Sequence, residues 1–126
     1  MARIMIVDDV ASMRQIIAGV LEKARHKVVD AASGAEALAL AEIKRVHLIL
    51  TDVNMPGIDG LELITRLRAL KNCQRTPILV LANGAGDDNI EKAKTAGASG
   101  WIAKPFTPEG LIATVNQVLV DTYVNN

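Results

Sequence analysis

Ile4-Met5-Ile6-Val7 is a run of four apolar residues that stops on a pair of acids, Asp8-Asp9. An uninterrupted apolar run of this length has the character of a strand buried on both faces. The period then changes. Met13, Ile16, Ile17, Val20, Leu21 and Ala24 recur at three- and four-residue steps, which lays them along one face of a helix. The alternation repeats down the chain: Lys27 to Ala31, His47 to Thr51, Ile78 to Ala82 and Gly100 to Ala103 are further short, mostly apolar runs. Leu111, Ile112, Val115, Val118 and Leu119 give the last helical stripe. The order is five strand-helix pairs. Ser12 with Gln15 and Ser33 with Glu36 have capping-box spacing, and Asp59 with Glu62 and Asp88 with Glu91 are acid-led variants. Thr107 followed by Pro108 predicts the fifth helix start, and Gly97 and Pro77 act as stop signals.

Strict alternation of this kind predicts an α/β fold, an open parallel sheet with right-handed crossovers and helices on both faces. Ligands of such sheets bind beyond the carboxyl ends of the strands, where the strand order reverses. With 126 residues, half of them hydrophobic, the chain has the length of one domain whose apolar core needs no disulfide or structural metal. The single cysteine, Cys73, cannot form an intrachain bridge. Fourteen basic and fourteen acidic side chains cancel, so no bulk positive field exists to hold nucleic acid or an anionic membrane. No apolar run reaches the length of a membrane span, and the apolar stretch before Asp8 is too short for an export signal. These features predict a cytoplasmic protein.

The first strand runs into Asp8-Asp9, the third into Asp52 and the fifth into Lys104-Pro105. If the first and third strands are neighbours, about 4.8 Å apart, their terminal carboxylates converge on one point. Three carboxylates so close resist ionisation unless a cation joins them. Carboxylate oxygens plus waters describe a magnesium site with open positions for a phosphate ligand, and Lys104 adds a point positive charge. A single acid after a strand is also an ordinary helix-cap or turn residue. It is the combination that points to a metal.

Asp8-Asp9, Asp52, Asn54-Met55-Pro56 with Asp59-Gly60, and Lys104-Pro105-Phe106 resemble the receiver domain of bacterial response regulators over nearly the whole chain. Ser12-Met13-Arg14 and Gly97-Ala98-Ser99-Gly100-Trp101 make the chain most similar to the single-domain chemotaxis members of that family. The resemblance implies a flavodoxin-like doubly wound sheet of five parallel strands in the order 2-1-3-4-5. Residues 1 to 122 would form the receiver domain and 123 to 126 a short tail. It further implies that Asp52 accepts a phosphoryl group, that Asp8, Asp9, Asp52 and the backbone carbonyl of Asn54 organise a magnesium ion, and that Lys104 pairs with the phosphoryl oxygens. Pro56 and Gly57 would shape the loop after Asp52, and the Lys104-Pro105 bond would be cis.

One position departs from the family pattern. Receivers carry Thr or Ser at the end of the fourth strand, where the hydroxyl couples phosphorylation to loop movement; here Ala82 stands there, and no Ser or Thr lies between Pro77 and Lys94. Asn83, next in line, carries an amide able to donate in place of the hydroxyl or to crowd the phosphodonor. A lost charge-assisted hydrogen bond weakens the coupling by roughly 1.5 to 3 kcal/mol. Trp101 takes the place of the usual Tyr or Phe on the fifth strand, and its indole is harder to swing into the space beside Ala82.

The resemblance implies a signalling protein rather than an enzyme, with no catalysis beyond its own phosphorylation and dephosphorylation. A sensor histidine kinase would be the donor. No effector domain is expected after the receiver, so output would be binding of a protein target through the fourth helix, fifth strand and fifth helix, with a flagellar motor switch as the suggested target and a phosphatase as a further partner. Ala82 supports an alternative: a receiver with a degraded switch, serving as phosphate sink, relay intermediate or constitutive docking module. A phosphatase of the haloacid dehalogenase type also uses a phosphoaspartate but needs its two aspartates spaced Asp-x-Asp, whereas here they are adjacent. Gly84-Ala85-Gly86 before Asp87-Asp88-Asn89 lacks the third glycine of a phosphate loop and reads as a flexible turn. His26 and His47 lack ligand spacing and read as structural or solvated, and Cys73 lies in a polar connection with nothing to activate it.

Overall fold

Strands β1 (Arg3–Val7), β2 (Lys27–Ala31), β3 (Leu48–Asp52), β4 (Ile78–Ala82) and β5 (Gly100–Ala103) alternate with helices α1 (Ala11–Lys23), α2 (Gly34–Ile43), α3 (Gly60–Ala69), α4 (Asp88–Ala96) and α5 (Pro108–Tyr123) in the computed structural model, which describes residues 1–125. All strand pairs are parallel and the order is β2-β1-β3-β4-β5. Period-two alternation divides the core into two layers. Met5, Val7, Ile49, Ile78 and Val80 face α2, α3 and α4, and Ile4, Ile6, Leu48, Leu50, Leu79 and Leu81 face α1 and α5. β3 and β4 are buried along their whole length, as continuous apolar runs require. β2 is half-exposed because it is an edge strand with one neighbour, a departure from the expectation of burial on both faces. Among the described residues no helix is long and apolar enough to cross a membrane.

Ser33, Asp59 and Thr107 cap their helices as their spacing predicts, and Gly97 ends α4 with φ 117°, a left-handed conformation that glycine adopts without penalty. Two other caps differ. α1 begins after Val10, with Ser12 inside its first turn, and no side chain caps it. The Asp8 carboxylate accepts the Val10 N–H at 2.9 Å instead, so the strand-end acid turns the chain toward the helix. α4 is capped by Asp87, one residue before the Asp88 expected; Asp88 and Glu91 occupy the first turn, where acidic charge meets the positive end of the helix dipole. α3 ends at Ala69, well before Pro77, because Leu70 returns to extended backbone and a 3-10 turn follows at Lys71–Cys73. That turn buries Cys73, so the connection is less polar than its neighbours suggest. α5 runs to Tyr123, past the boundary expected after 122, and of the expected tail Asn126 lies outside the described residues.

Candidate functional site

The pairing of β1 with β3 sets Val7 beside Thr51, so the residues that follow each leave the sheet at the same edge. Asp8, Asp9 and Asp52 thereby bring one carboxylate oxygen each to within 4.8 Å of one another. Asp8 and Asp52 are buried and Asp9 is exposed. Burial pushes the Asp8 carboxyl above the usual carboxylate range; the Val10 N–H opposes this, the charges of Asp52 and Asp9 add to it, and Lys104 opposes it. Hard oxygen donors crowded to this degree suit a small divalent cation such as magnesium.

Lys104 reaches the same point from β5. Its backbone N–H donates to the Ala82 carbonyl at 2.7 Å, and its Nζ donates to Asp52 Oδ1 at 3.0 Å. The Lys104-Pro105 peptide is cis. Asp52 Oδ1 also accepts the Val53 N–H at 2.9 Å, while Oδ2 has no partner among the described residues. Among the described residues no fully buried side-chain oxygen or nitrogen lacks a hydrogen bond, so the unpartnered Oδ2 keeps some contact with solvent. One oxygen of Asp52 is thus held and the other presented.

Two supports for this arrangement escaped the sequence reading. A Cβ on Gly60 would lie 2.2 Å from the Asp52 carbonyl oxygen and 2.7 Å from Val53 Cα, so the first turn of α3 packs on the Asp52 backbone only because residue 60 has no side chain. Asp59-Gly60 stands in the motif, but nothing in a linear sequence shows which backbone the glycine meets. Arg14 donates from Nη1 to the Asp8 carbonyl at 2.7 Å and pairs through Nε with Asp30 at 3.1 Å, tying the start of α1 to β1 and β2.

Asn54 lies in the loop after β3, two residues beyond Asp52. Ala82 ends β4 opposite Ala103, one residue before Lys104, and is 2% exposed. The backbone N–H of Asn83 donates to Asp87 Oδ2 at 3.0 Å, and Asp87 Oδ1 accepts from Asn89 at 2.9 Å, so one carboxylate closes the β4–α4 loop. These two bonds hold the Asp87 carboxyl below the usual range. Gly84-Ala85-Gly86 is a turn, with Gly84 at φ 140°. Trp101 is half-buried against the α4 side of the core. His26 is structural: it accepts the Ala2 N–H at 3.1 Å and meets Asn116 at 2.9 Å. His47 accepts the Arg3 N–H at 3.0 Å. Burial pushes the Cys73 thiol up, away from reactivity.

Residues 4–116 match the response regulator receiver domain family. The chain is 36% identical over 119 residues to a chemotaxis protein CheY homolog of Campylobacter jejuni, covering 93% of this chain and 92% of the relative. It is similar to the solved structure of Vibrio cholerae chemotaxis protein CheY4, with TM-score 0.89 and 40% identity over 94% of this chain and 98% of that one. A second solved relative is the receiver domain of sensor histidine kinase PA1611 from Pseudomonas aeruginosa, which has a magnesium ion coordinated in its active-site cleft; TM-score is 0.83 and identity 29%, with 96% of each chain covered. Strand order, the acids at the ends of β1 and β3 and the lysine after β5 agree with this match over nearly all of the chain, which belongs to the response regulator receiver domain family.

Proposed function

We propose that this protein accepts a phosphoryl group on Asp52 from a histidine kinase and signals by binding another protein, as a two-component regulator of the chemotaxis type. The observation that carries the reading is the unequal treatment of the two Asp52 oxygens. Lys104 and the Val53 N–H hold Oδ1, which leaves Oδ2 as the oxygen that attacks phosphorus. In the transfer, the bond from Oδ2 to phosphorus forms as the bond from phosphorus to the donor's imidazole nitrogen breaks, and that nitrogen leaves with the electron pair. A carboxylate is a weak nucleophile, so positioning and charge neutralisation do most of the catalysis. Asp8, Asp9, Asp52 and the Asn54 carbonyl would hold magnesium, which when bound supplies positive charge against the phosphoryl oxygens. Lys104 is placed to shift from the acceptor to the phosphoryl group. In this reading the protein works in the cytoplasm, and α4, β5 and α5 form the partner surface.

Ala82 favours a second reading on one point. With no hydroxyl at the end of β4, acceptance of phosphate survives better than its coupling to loop movement, as in a sink, a relay intermediate or a constitutive docking module.

Treatment with acetyl phosphate and magnesium, followed by intact mass, tests the function. One phosphoryl group is expected on the native chain and none on Asp52→Asn. Equal labelling of both proteins contradicts the assignment.

A further inference from the structure

The pole opposite the acids carries a groove of about 1010 Å³. It lies where the chain enters β3 and β4, below the C-terminal turn of α5, so the length of the sheet separates it from Asp52, about 16 Å for five residues of strand. Its charge is one-sided: Arg45, Arg68, Lys71 and Arg75 line it, and no acid does, although the chain as a whole has no net charge. Arg45, Lys71 and Arg75 form no ion pair among the described residues. Arg68 is fixed. Its Nε donates to the Gly97 carbonyl at 3.0 Å and its Nη1 to the carbonyls of Cys73 and Thr76 at 2.7 and 2.6 Å. Nη2 has no partner among the described residues, and Arg68 lines the groove.

An aromatic ring borders the same groove. Tyr123 is half-exposed, and its position is set by a hydroxyl bond to the His47 carbonyl at 2.7 Å and an edge contact with the His47 ring at 5.5 Å. A held guanidinium, three cations without ion pairs and a fixed, half-exposed ring line one groove, offering charge to phosphates and a surface to a flat base.

The geometry points to a nucleotide site in this groove, distinct from the phosphoryl-acceptor site, with phosphates against Arg45, Arg68 and Arg75 and the base against Tyr123. It stands independently of the role given to Asp52.

Amide chemical shifts of the full chain in EDTA, titrated separately with ADP, inorganic pyrophosphate and adenosine, provide the test. ADP is expected to move His47, Lys71 to Thr76, Thr122 and Tyr123 with half-saturation near ~1 mM or tighter. Pyrophosphate should move the same basic residues at higher concentration, and adenosine alone should bind weakly. Arg75→Ala is expected to weaken ADP about tenfold through the lost phosphate contact, and Tyr123→Ala about tenfold through the lost stacking. Tyr123→Phe keeps the ring and should bind as the native chain does. If Tyr123→Ala disturbs the end of α5, the difference between ADP and pyrophosphate, which carry the same number of phosphates, still reads the contribution of the base on the native chain. Binding of pyrophosphate as tight as that of ADP, shifts confined to Asp8, Asp9 and Asp52, or no shift up to ~10 mM ADP would overturn the proposal.

Discussion

Asp8 does two jobs that oppose each other: its carboxylate turns the chain into α1 through the Val10 N–H, and its burial beside Asp52 and Asp9 makes ionisation costly. A carboxyl raised in the folded state binds its proton more tightly folded than unfolded, so its ionisation works against folding. Stability from this group is therefore lost as the pH rises from the ordinary aspartate value through the raised one, and the penalty persists at neutral pH. Asp8→Asn keeps the oxygen that accepts from Val10 and removes the charge. Its metal-free form is expected to melt at a higher temperature than the native protein at pH 7, with the gap closing in acid, while the stabilisation by added magnesium diminishes; an unchanged gap between pH 4 and 7 contradicts this. Gly60 is the second decisive residue. Gly60→Ala places a methyl against the Asp52 backbone and is expected to cost about 1–3 kcal/mol by chemical denaturation. Gly19→Ala, in an exposed turn of α1 with nothing near the new Cβ, is expected to stabilise by about 0.5–1 kcal/mol. Similar values for both would show that the close approach at Gly60 does not matter.

At the scale of elements, the β4–α4 loop is where the switch would lie, and Asp87 holds it closed from within. Its lowered pKa has the opposite sign consequence: the stabilisation is present above the ordinary aspartate value and is lost as the pH falls through the lowered one. Phosphate can bias a two-state loop only by contacts that differ between the states, and Ala82 offers no hydroxyl for one. With beryllium fluoride, amide shifts from Gly84 to Gly100 are expected to be smaller in the native protein than in Ala82→Thr. Equal shifts would mean that Asn83 or the backbone already supplies the contact. The five strands and the caps Ser33, Asp59 and Thr107 were legible because each rests on local period or spacing. Asp88 was mistaken for the cap because two adjacent acids have equal local claims, and the choice of Asp87 depends on its second bond to Asn83 across the loop. Ser12 is not a cap either, because α1 begins before it, after Val10, whose N–H the Asp8 carboxylate accepts.

The whole molecule is polar in its chemistry: acids gather where β1 and β3 end, and unpaired cations where β3 and β4 begin. The acid pole was readable because strand ends in a parallel sheet converge and the convergent residues sit in short contiguous motifs. The basic pole was not, because only Arg68, Lys71 and Arg75 share one stretch, and nothing in the sequence links them to Arg45 or Tyr123, which the fold brings to the same groove. Nor was Arg68 visible as the tie between α3, the end of α4 and the entry to β4. The proposed transfer to Asp52 is tested most directly by borohydride reduction of the acetyl phosphate-treated chain, which converts an aspartyl phosphate to homoserine, followed by peptide sequencing. Homoserine is expected at position 52 alone, and only with magnesium present; homoserine at position 8 or 9, or none at 52, would contradict the assignment of Asp52.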